Sequence, residues 1–320
     1  MRVLVTGGAG YIGSVLVPIL LRKFEEVVVI DNFLYNQTSL LDSCFCSHLE
    51  VVRGDARDQD LMRKYLHEFN PDFIIPLACF TGAPICEKWP QEAREVIVDS
   101  IKILLDLRLK NQAVIYPTTN SGYGVGEDGI FCTEKSPLRP VSLYGKLKVE
   151  AEKMILDSGN SITLRLATAF GASPRMRLDL LVNDFVFKAV NEGRIEIFEP
   201  HFKRNYIHVR DIAYAFIHSA DKWEKMKNNV YNVGLSDANL SKLELCHLIK
   251  KHVPNLRIQK KEGRDPDQRN YIVSNEKIER TGFTPRFSLD MGIRELVKCF
   301  EVVQGPKHEV LFSNNPETSA

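Results

Sequence analysis

Apolar runs bounded by glycine and polar residues alternate with amphipathic stretches through the first half of the chain. "RVLVTG", "EVVVID", "LEVVRGD", "DFIIPLA", "AVIYPTT" and "SITLRLA" read as strands. Between them "GSVLVPILLRK", "DLMRKYLHEF", "AREVIVDSIKILLDLRL" and "LYGKLKVEAEKMIL" read as helices. The strand runs lack polar alternation, which is the pattern of strands buried on both faces, so a parallel sheet covered by helices is expected. This rhythm predicts an α/β fold with a doubly wound, Rossmann-type sheet. Beyond about residue 170 it loosens into "DLLVNDFVFKAVNEG", "RIEIFE", "NYIHV", "DIAYAFIHSADKW" and "VYNVG", which predicts a smaller mixed α/β unit.

Composition narrows the class. The 320 residues are 44% hydrophobic, enough for a substantial core, and their formal net charge is +1. With 42 basic against 41 acidic residues there is no global field to attract nucleic acid or an anionic membrane. The opening "MRVLVTGGAG" is too short and too glycine-broken for a secretory signal, and no later stretch reaches membrane-spanning length, so a cytoplasmic protein is expected. Seven cysteines include "CFC" but no Cys-x-x-Cys pair. They read as reduced packing thiols rather than metal ligands. The final "KHEVLFSNNPETSA" is polar and expected to be weakly anchored.

"VLVTGGAGYIGS" joins the first strand to the first helix through Gly7, Gly8, Gly10 and Gly13. Glycines in that position permit a tight turn, close approach of the backbone to a pyrophosphate, and close helix–strand packing, while the helix N-terminus favours an anion. Asp31 closes the second strand, where a carboxylate accepts hydrogen bonds from an adenosine ribose diol and repels a 2′-phosphate. NAD is therefore expected rather than NADP. Asp55, at the end of the third strand, fits either an adenine amino group or the cap of the following helix.

A second constellation follows. "YPTTNSGYG" ends the fifth strand in hydroxyls and one amide without an acid, and "YGKLK" then places Tyr144 and Lys148 one helical turn apart. An ammonium one turn from a phenol is expected to lower the phenol's pKa and make Tyr144 a base for an alcohol proton. Thr119 is placed to hold the same oxygen while a hydride leaves the carbinol.

"TGGAGYIG", the Ser/Thr-rich strand end, "YGKLK", "LRLATAFG" and "RNYIHVRD" together resemble the extended short-chain dehydrogenase/reductase family, the NAD-dependent epimerases and dehydratases of nucleotide sugars. The resemblance covers nearly the whole chain. It implies a catalytic triad of Thr119, Tyr144 and Lys148, and a cofactor site of Gly7, Gly10, Tyr11, Ile12, Gly13, Asp31, Asn32, Asp55, Ala56, Leu77 and Ala78, completed by Tyr144 and Lys148. It also implies an NAD-binding domain over residues 1–170, with a return segment near 205–225, and a substrate domain over 171–320. A homodimer or larger homo-oligomer is implied too, paired through the helix before strand five, whose "VIVDSIKILLDL" offers an apolar stripe, and the Tyr-Lys helix.

The question raised by the acid-free strand end can then be put chemically. Family members that dehydrate a 4-keto sugar resemble "TDEVYG" at this loop, with an acid and a base for removal of the C5 proton and loss of the 6-hydroxyl. Asn120 and Ser121 stand there instead, and neither exchanges protons near neutral pH. Oxidation at one sugar carbon, C4 by resemblance, is what is left.

On the sugar-nucleotide side the resemblance implies Thr81, Asn120, Ser121, Thr168, Arg175, Arg177, Asn183 and Arg204, with Arg264 and Asp267 meeting diphosphate and ribose. Arginine forks suit diphosphate oxygens. For these arginines a solvated basic edge, or an ion pair with Asp179 or Asp184, is the structural alternative. Cys79, Phe80 and Thr81 depart from the family's usual pattern, as does Asn205 in place of an acid. "NSGYG", "RMRLDLLVNDF" and "RNYIHVRD" are similar to a bacterial group acting in capsular heptose modification, which implies GDP-D-glycero-D-manno-heptose as substrate, a 4-keto product and NADH. A UDP-hexose 4-epimerase shares the same triad. From a different class, a catalytically retired dinucleotide-binding module serving as a redox sensor fits the glycine loop but not the retained triad.

Overall fold

The computed structural model describes residues 1–263 and 268–302. The first half of the chain supplies strands β1 (Arg2–Thr6), β2 (Glu26–Asp31), β3 (Leu49–Arg53), β4 (Phe73–Pro76) and β5 (Ala113–Thr119). The short β6 (Phe131–Cys132) precedes β7 (Ser161–Leu166) and β8 (Thr168–Phe170). Then follow β9 (Arg194–Ile197), β10 (Lys203–His208), β11 (Asn229–Val233), β12 (Asn239–Ser241), β13 (Arg257–Lys260) and β14 (Ile272–Val273).

Seven strands form one parallel sheet in the order β11-β7-β5-β4-β1-β2-β3. The chain reverses its winding between β1 and β4, and the crevice beyond the strand ends at such a switch point is where open α/β sheets take their ligands. The core strands are buried as the apolar runs predict, with Val3, Leu4 and Val5 inaccessible. At β3 the expectation fails: among the described residues this edge strand pairs only with β2, and it leaves Glu50 and Val51 exposed. "VYNVG" also differs from expectation. It is β11, the far edge of the main sheet rather than part of the smaller unit, and the preceding helix Val209–Asp221 packs against the first helix, Gly13–Leu20. The return to the sheet therefore extends beyond the 205–225 segment.

Helices cover both faces. Leu16, Val17 and Phe216 fill one side, and that core continues into Val182, Phe187, Leu245 and Leu296 of the C-terminal part. Met62, Ile101, Leu104 and Leu147 fill the other. Of the apolar stripe expected at a subunit contact, Ile97, Val98, Ile101 and Leu104 pack into the chain's own core, while Val96, Ile103, Leu105 and Leu107 are half-buried. No helix among the described residues is long and apolar enough to cross a membrane.

The helix Leu143–Asp157 sets the site. Leu147, Ala151 and Ile155, spaced four apart, bury against the sheet, each large side chain contributing about 1.5–3 kcal/mol. That fixes the helix rotation and turns Tyr144 and Lys148 toward the strand ends. Ser142 caps its first turn by accepting from the Gly145 N–H at 3.2 Å, as the Ser before the run would suggest.

Candidate active site

The ends of β1, β4 and β5 open onto a cleft of about 1090 Å³. Gly7 turns the chain out of β1 with φ +69°, and a Cβ on it would lie 2.5 Å from the Ala78 nitrogen. Only glycine fits both the left-handed backbone and that approach of the β4 exit. Gly10 differs: a Cβ there would meet only the Gly7 carbonyl, at 3.2 Å, and its other side faces the cleft. Gly10, Tyr11, Ile12 and Gly13 line the cleft at the start of the first helix, and Leu77 and Ala78 line the opposite lip. Backbone amides at a helix N-terminus, with no side chain in front of Gly10, suit a pyrophosphate.

Asp31 and Asn32 line the same end. The Asp31 carboxylate is 6% exposed and accepts from Ala9 N at 2.9 Å, Phe33 N at 2.8 Å and the Gln37 amide at 3.1 Å. Burial pushes its pKa up, against those bonds and Arg53. Two carboxylate oxygens offer about four acceptor sites, so one remains beside the three in use and a diol would share or displace Gln37. Asp31 thus also fastens the glycine loop. Asp55 and Ala56 reach the cleft, but Asp55 is engaged by the Arg57 guanidinium at 2.8 Å, which holds its carboxyl below the usual range. It does not cap the next helix: Asp58 does, accepting from the N–H groups of Asp60 and Leu61. These residues together fit a dinucleotide with a free adenosine ribose.

Thr119, Tyr144 and Lys148 all line the middle of the cleft. The Thr119 hydroxyl donates to Ser121 Oγ at 2.9 Å and accepts from Ser121 N at 3.1 Å. Arg269 donates to the same Ser121 oxygen. Lys148 is 3% exposed and directs its Nζ to the Tyr116 hydroxyl at 2.6 Å, not to Tyr144. The expectation of a phenol acidified by its neighbouring lysine is therefore corrected. Burial is the dominant influence on Tyr144 and pushes its pKa well above the ordinary tyrosine value, with Cys79 adding to the rise and Arg177 and Arg269 opposing it. Burial likewise pushes Lys148 down. Desolvation in each case disfavours the charged form.

On the far side Thr81, Ser121, Thr168, Arg175, Arg177 and Arg204 line the cleft. Arg177 forms the ion pair that was the structural alternative, with Asp179 at 2.5 Å, and also donates to the Thr81 carbonyl at 3.2 Å. Arg175 stacks over Tyr35 at 4.6 Å, and Arg204, 2% exposed, lies over Tyr271.

Two expected contacts are not in the cleft wall. Asn120 is 1% exposed beneath it, because the turn after Thr119 directs its side chain inward, and neither amide atom has a partner among the described residues. Asn183 is inaccessible too: it accepts from Gly171 N at 3.0 Å and donates to the Arg177 carbonyl at 2.9 Å, so it shapes the loop rather than facing a ligand. Arg264 and Asp267 lie outside the described residues.

The cleft also contains Tyr35, Lys242 and Arg269, which the sequence reading did not select. Arg269 was within "DQRNYIVSN", where a second arginine near Arg264 was the available signal. Nothing in the local pattern marked Tyr35 or Lys242. The start of the first helix is tied to the segment after β8: Tyr11 donates its hydroxyl to the Gly171 carbonyl at 2.8 Å, and Ser173 donates to the Tyr11 carbonyl at 2.8 Å.

Known proteins are similar to this chain over nearly its whole length. A UDP-glucose 4-epimerase of Halalkalibacterium halodurans is 28% identical over 90% of this chain and 91% of its own. The low-salt glycan biosynthesis protein Agl12 of Haloferax volcanii is also 28% identical, over 94% and 98%. Among solved structures, the UDP-glucose 4-epimerase of Thermotoga maritima superposes with a TM-score of 0.84 at 23% identity, covering 95% and 99% of the two chains. DesIV of Streptomyces venezuelae, a dTDP-glucose 4,6-dehydratase solved with NAD, gives 0.83 at 25%, covering 94% and 97%. With residues 3–234 matching its model, the chain belongs to the NAD dependent epimerase/dehydratase family, whose cofactor is NAD.

Proposed function

We propose that this protein oxidises the C4 carbinol of a nucleotide-linked sugar, without the elimination that a 4,6-dehydratase adds. The observation that carries this reading is the loop after β5. Thr119, Tyr144 and Lys148 meet in the cleft, while Asn120 is turned out of it and the Ser121 hydroxyl is held between Thr119 and Arg269. Neither of the latter two supplies an acid or base to an elimination.

The glycine loop, Asp31 and the Leu77–Ala78 lip would hold NAD, which supplies a hydride acceptor when bound. Tyr144, as phenolate, takes the proton of the C4 hydroxyl, and Thr119 holds that oxygen. The C4 hydrogen departs with two electrons, so the carbinol becomes a ketone and the balance closes with one proton on Tyr144. Arg177 and Arg269 are the positive charges that favour the phenolate, and Lys148, one turn along the same helix, is a further cation of the site. Arg175 and Arg204 provide the forks for a diphosphate, with Arg177, paired to Asp179, beside them.

The substrate we infer is GDP-D-glycero-D-manno-heptose, released as its 4-keto form by a 4-dehydrogenase. "NSGYG", "RMRLDLLVNDF" and "RNYIHVRD" support it. A UDP-hexose 4-epimerase is the second reading, and the UDP-glucose 4-epimerases among the relatives favour it. The test is product analysis by NMR and mass spectrometry after incubation with NAD and each nucleotide sugar. A GDP-heptose product lighter by two hydrogens establishes the dehydrogenase. A UDP-hexose of unchanged mass and inverted C4 establishes the epimerase, and a 6-deoxy-4-keto product overturns both.

A further inference from the structure

Lys148 has an unusual neighbour for a lysine at the centre of a site. Tyr116, in β5, is 2% exposed and has no place in the cleft wall. Its hydroxyl oxygen accepts from Lys148 Nζ at 2.6 Å, and the same ammonium lies 3.9 Å from the centre of its ring. We propose that Tyr116 is a positioning residue for the reaction, its hydroxyl and ring together holding the Lys148 ammonium beneath Thr119 and Tyr144. This rests on the assignment of Tyr144 as base and of Lys148 as a cation of the same site.

The geometry explains why such a partner is needed. Lys148 projects from its helix to the floor of the cleft, where it is only 3% exposed, and burial works against its charge. The other ionisable groups facing it are Cys79 beyond β4, Cys86 on the helix Ala83–Lys88, and Glu152 on its own helix, while Tyr144 faces Tyr116. The two thiols are themselves pushed up by burial and stay neutral near pH 7. Glu152 is bound to Arg165 at 2.6 Å and its oxygens accept three bonds from that guanidinium. No carboxylate pairs directly with the ammonium among the described residues. Tyr116 offers instead an oxygen acceptor and a π face, both favourable to a cation in a dry site. Its own phenol is pushed well above the ordinary value by burial, so it remains a neutral partner across the working pH range. A tyrosine here meets the lysine without quenching its charge, as a carboxylate would.

The test combines a titration with kinetics. Lysine Nζ is labelled with ¹⁵N in the full chain, and the Lys148 resonance is assigned by its loss in Lys148→Met. In the wild-type protein its ammonium protons should exchange far more slowly than those of surface lysines; exchange at the surface rate overturns the pairing. In Tyr116→Phe, which keeps the ring, the midpoint of the Lys148 titration should fall by roughly one pH unit, the size expected for losing one charge-assisted hydrogen bond. The alkaline limb of kcat, measured with whichever nucleotide sugar the wild-type protein turns over, should fall with it. At neutral pH kcat should drop roughly tenfold while KM stays within about twofold. An unmoved Lys148 midpoint overturns the proposal, as does a moved midpoint with unchanged kcat. A lower thermal midpoint with an unmoved alkaline limb would show a packing role only and also overturns it. Full turnover by Tyr144→Phe would sink the assignment of the base, and the Lys148 titration would still report on the pairing.

Discussion

Glu295 provides a quantitative test of how the C-terminal helix holds the substrate side. From the helix Leu289–Val302 its carboxylate accepts from Ala172 N at 3.0 Å and His208 Nε2 at 2.8 Å, and pairs with Arg210. Burial alone would raise its pKa, but the His208 and Ala172 hydrogen bonds and the Arg210 charge overcome that and lower it from 4.5 to about 2. The folded-state value lies below the unfolded one. The contribution is therefore complete above pH 4.5 and is lost as pH falls toward about 2. At about 1.4 kcal/mol per unit the gap amounts to roughly 3 kcal/mol, and discounting for screening at the exposed part of the side chain leaves roughly 2–3 kcal/mol.

Glu295→Gln, which cannot titrate, should be less stable than the wild-type protein by that amount at pH 7. Urea unfolding of both proteins should show the difference constant down to about pH 5 and reduced to less than half by about pH 3. A difference that does not change with pH down to that point, or one under about 0.5 kcal/mol at pH 7, refutes the reasoning. A functional effect should accompany it. Ala172 follows Gly171, whose carbonyl accepts from Tyr11, and precedes Arg175 and Arg177. Loosening that segment should raise KM for the nucleotide sugar more than it lowers kcat.

Three further outcomes follow from named contacts. Gly7→Ala places a Cβ 2.5 Å from the Ala78 nitrogen on a residue with φ +69°, so it should lose NAD binding by calorimetry, with a backbone strain of about 1–3 kcal/mol lowering the unfolding midpoint. Glu152→Gln leaves the Arg165 guanidinium, about 6% exposed, without its carboxylate, and should destabilise the protein by about 3–5 kcal/mol in urea unfolding. Tyr144→Phe should lower kcat by at least about 10²-fold while NAD affinity, read by calorimetry, is unchanged.

Where physics is local, the sequence reading transferred directly. Gly7 had to be glycine for reasons of backbone conformation, and the strand–glycine–helix order positioned it at the switch point. Tyr144 and Lys148 share a face because residues four apart on a helix must. Side chains whose direction depends on a turn were harder. Asn120 follows an exposed strand end, yet the turn that begins there points it into the protein, and Asn183 was assigned to a ligand when it secures the loop bearing Arg177. Asp55 and Asp58 show the same limit, since either acid could cap the helix Gln59–Lys64 and only the fold selects Asp58. Tyr116 was invisible, because its role exists only where the Leu143–Asp157 helix crosses β5.

The positions of the positive charges bear on when Tyr144 becomes a base. Lys148 comes from the dinucleotide side and is held on Tyr116, while the two cations that oppose the rise in the Tyr144 pKa, Arg177 and Arg269, come from the substrate side. Arg177 is already paired with Asp179, which mutes its field at Tyr144, and it is anchored to the Thr81 carbonyl. Arg269 is anchored on Ser121, whose hydroxyl also receives the Thr119 proton. Any displacement of the substrate loops therefore moves positive charge relative to the phenol and alters the hydroxyl that would hold the sugar oxygen. In a site this desolvated the phenolate is costly without those charges. Base strength and substrate-side order are thus coupled through Arg177, Arg269 and Ser121, so a substitution confined to the substrate loops should change the acid limb of kcat as well as KM.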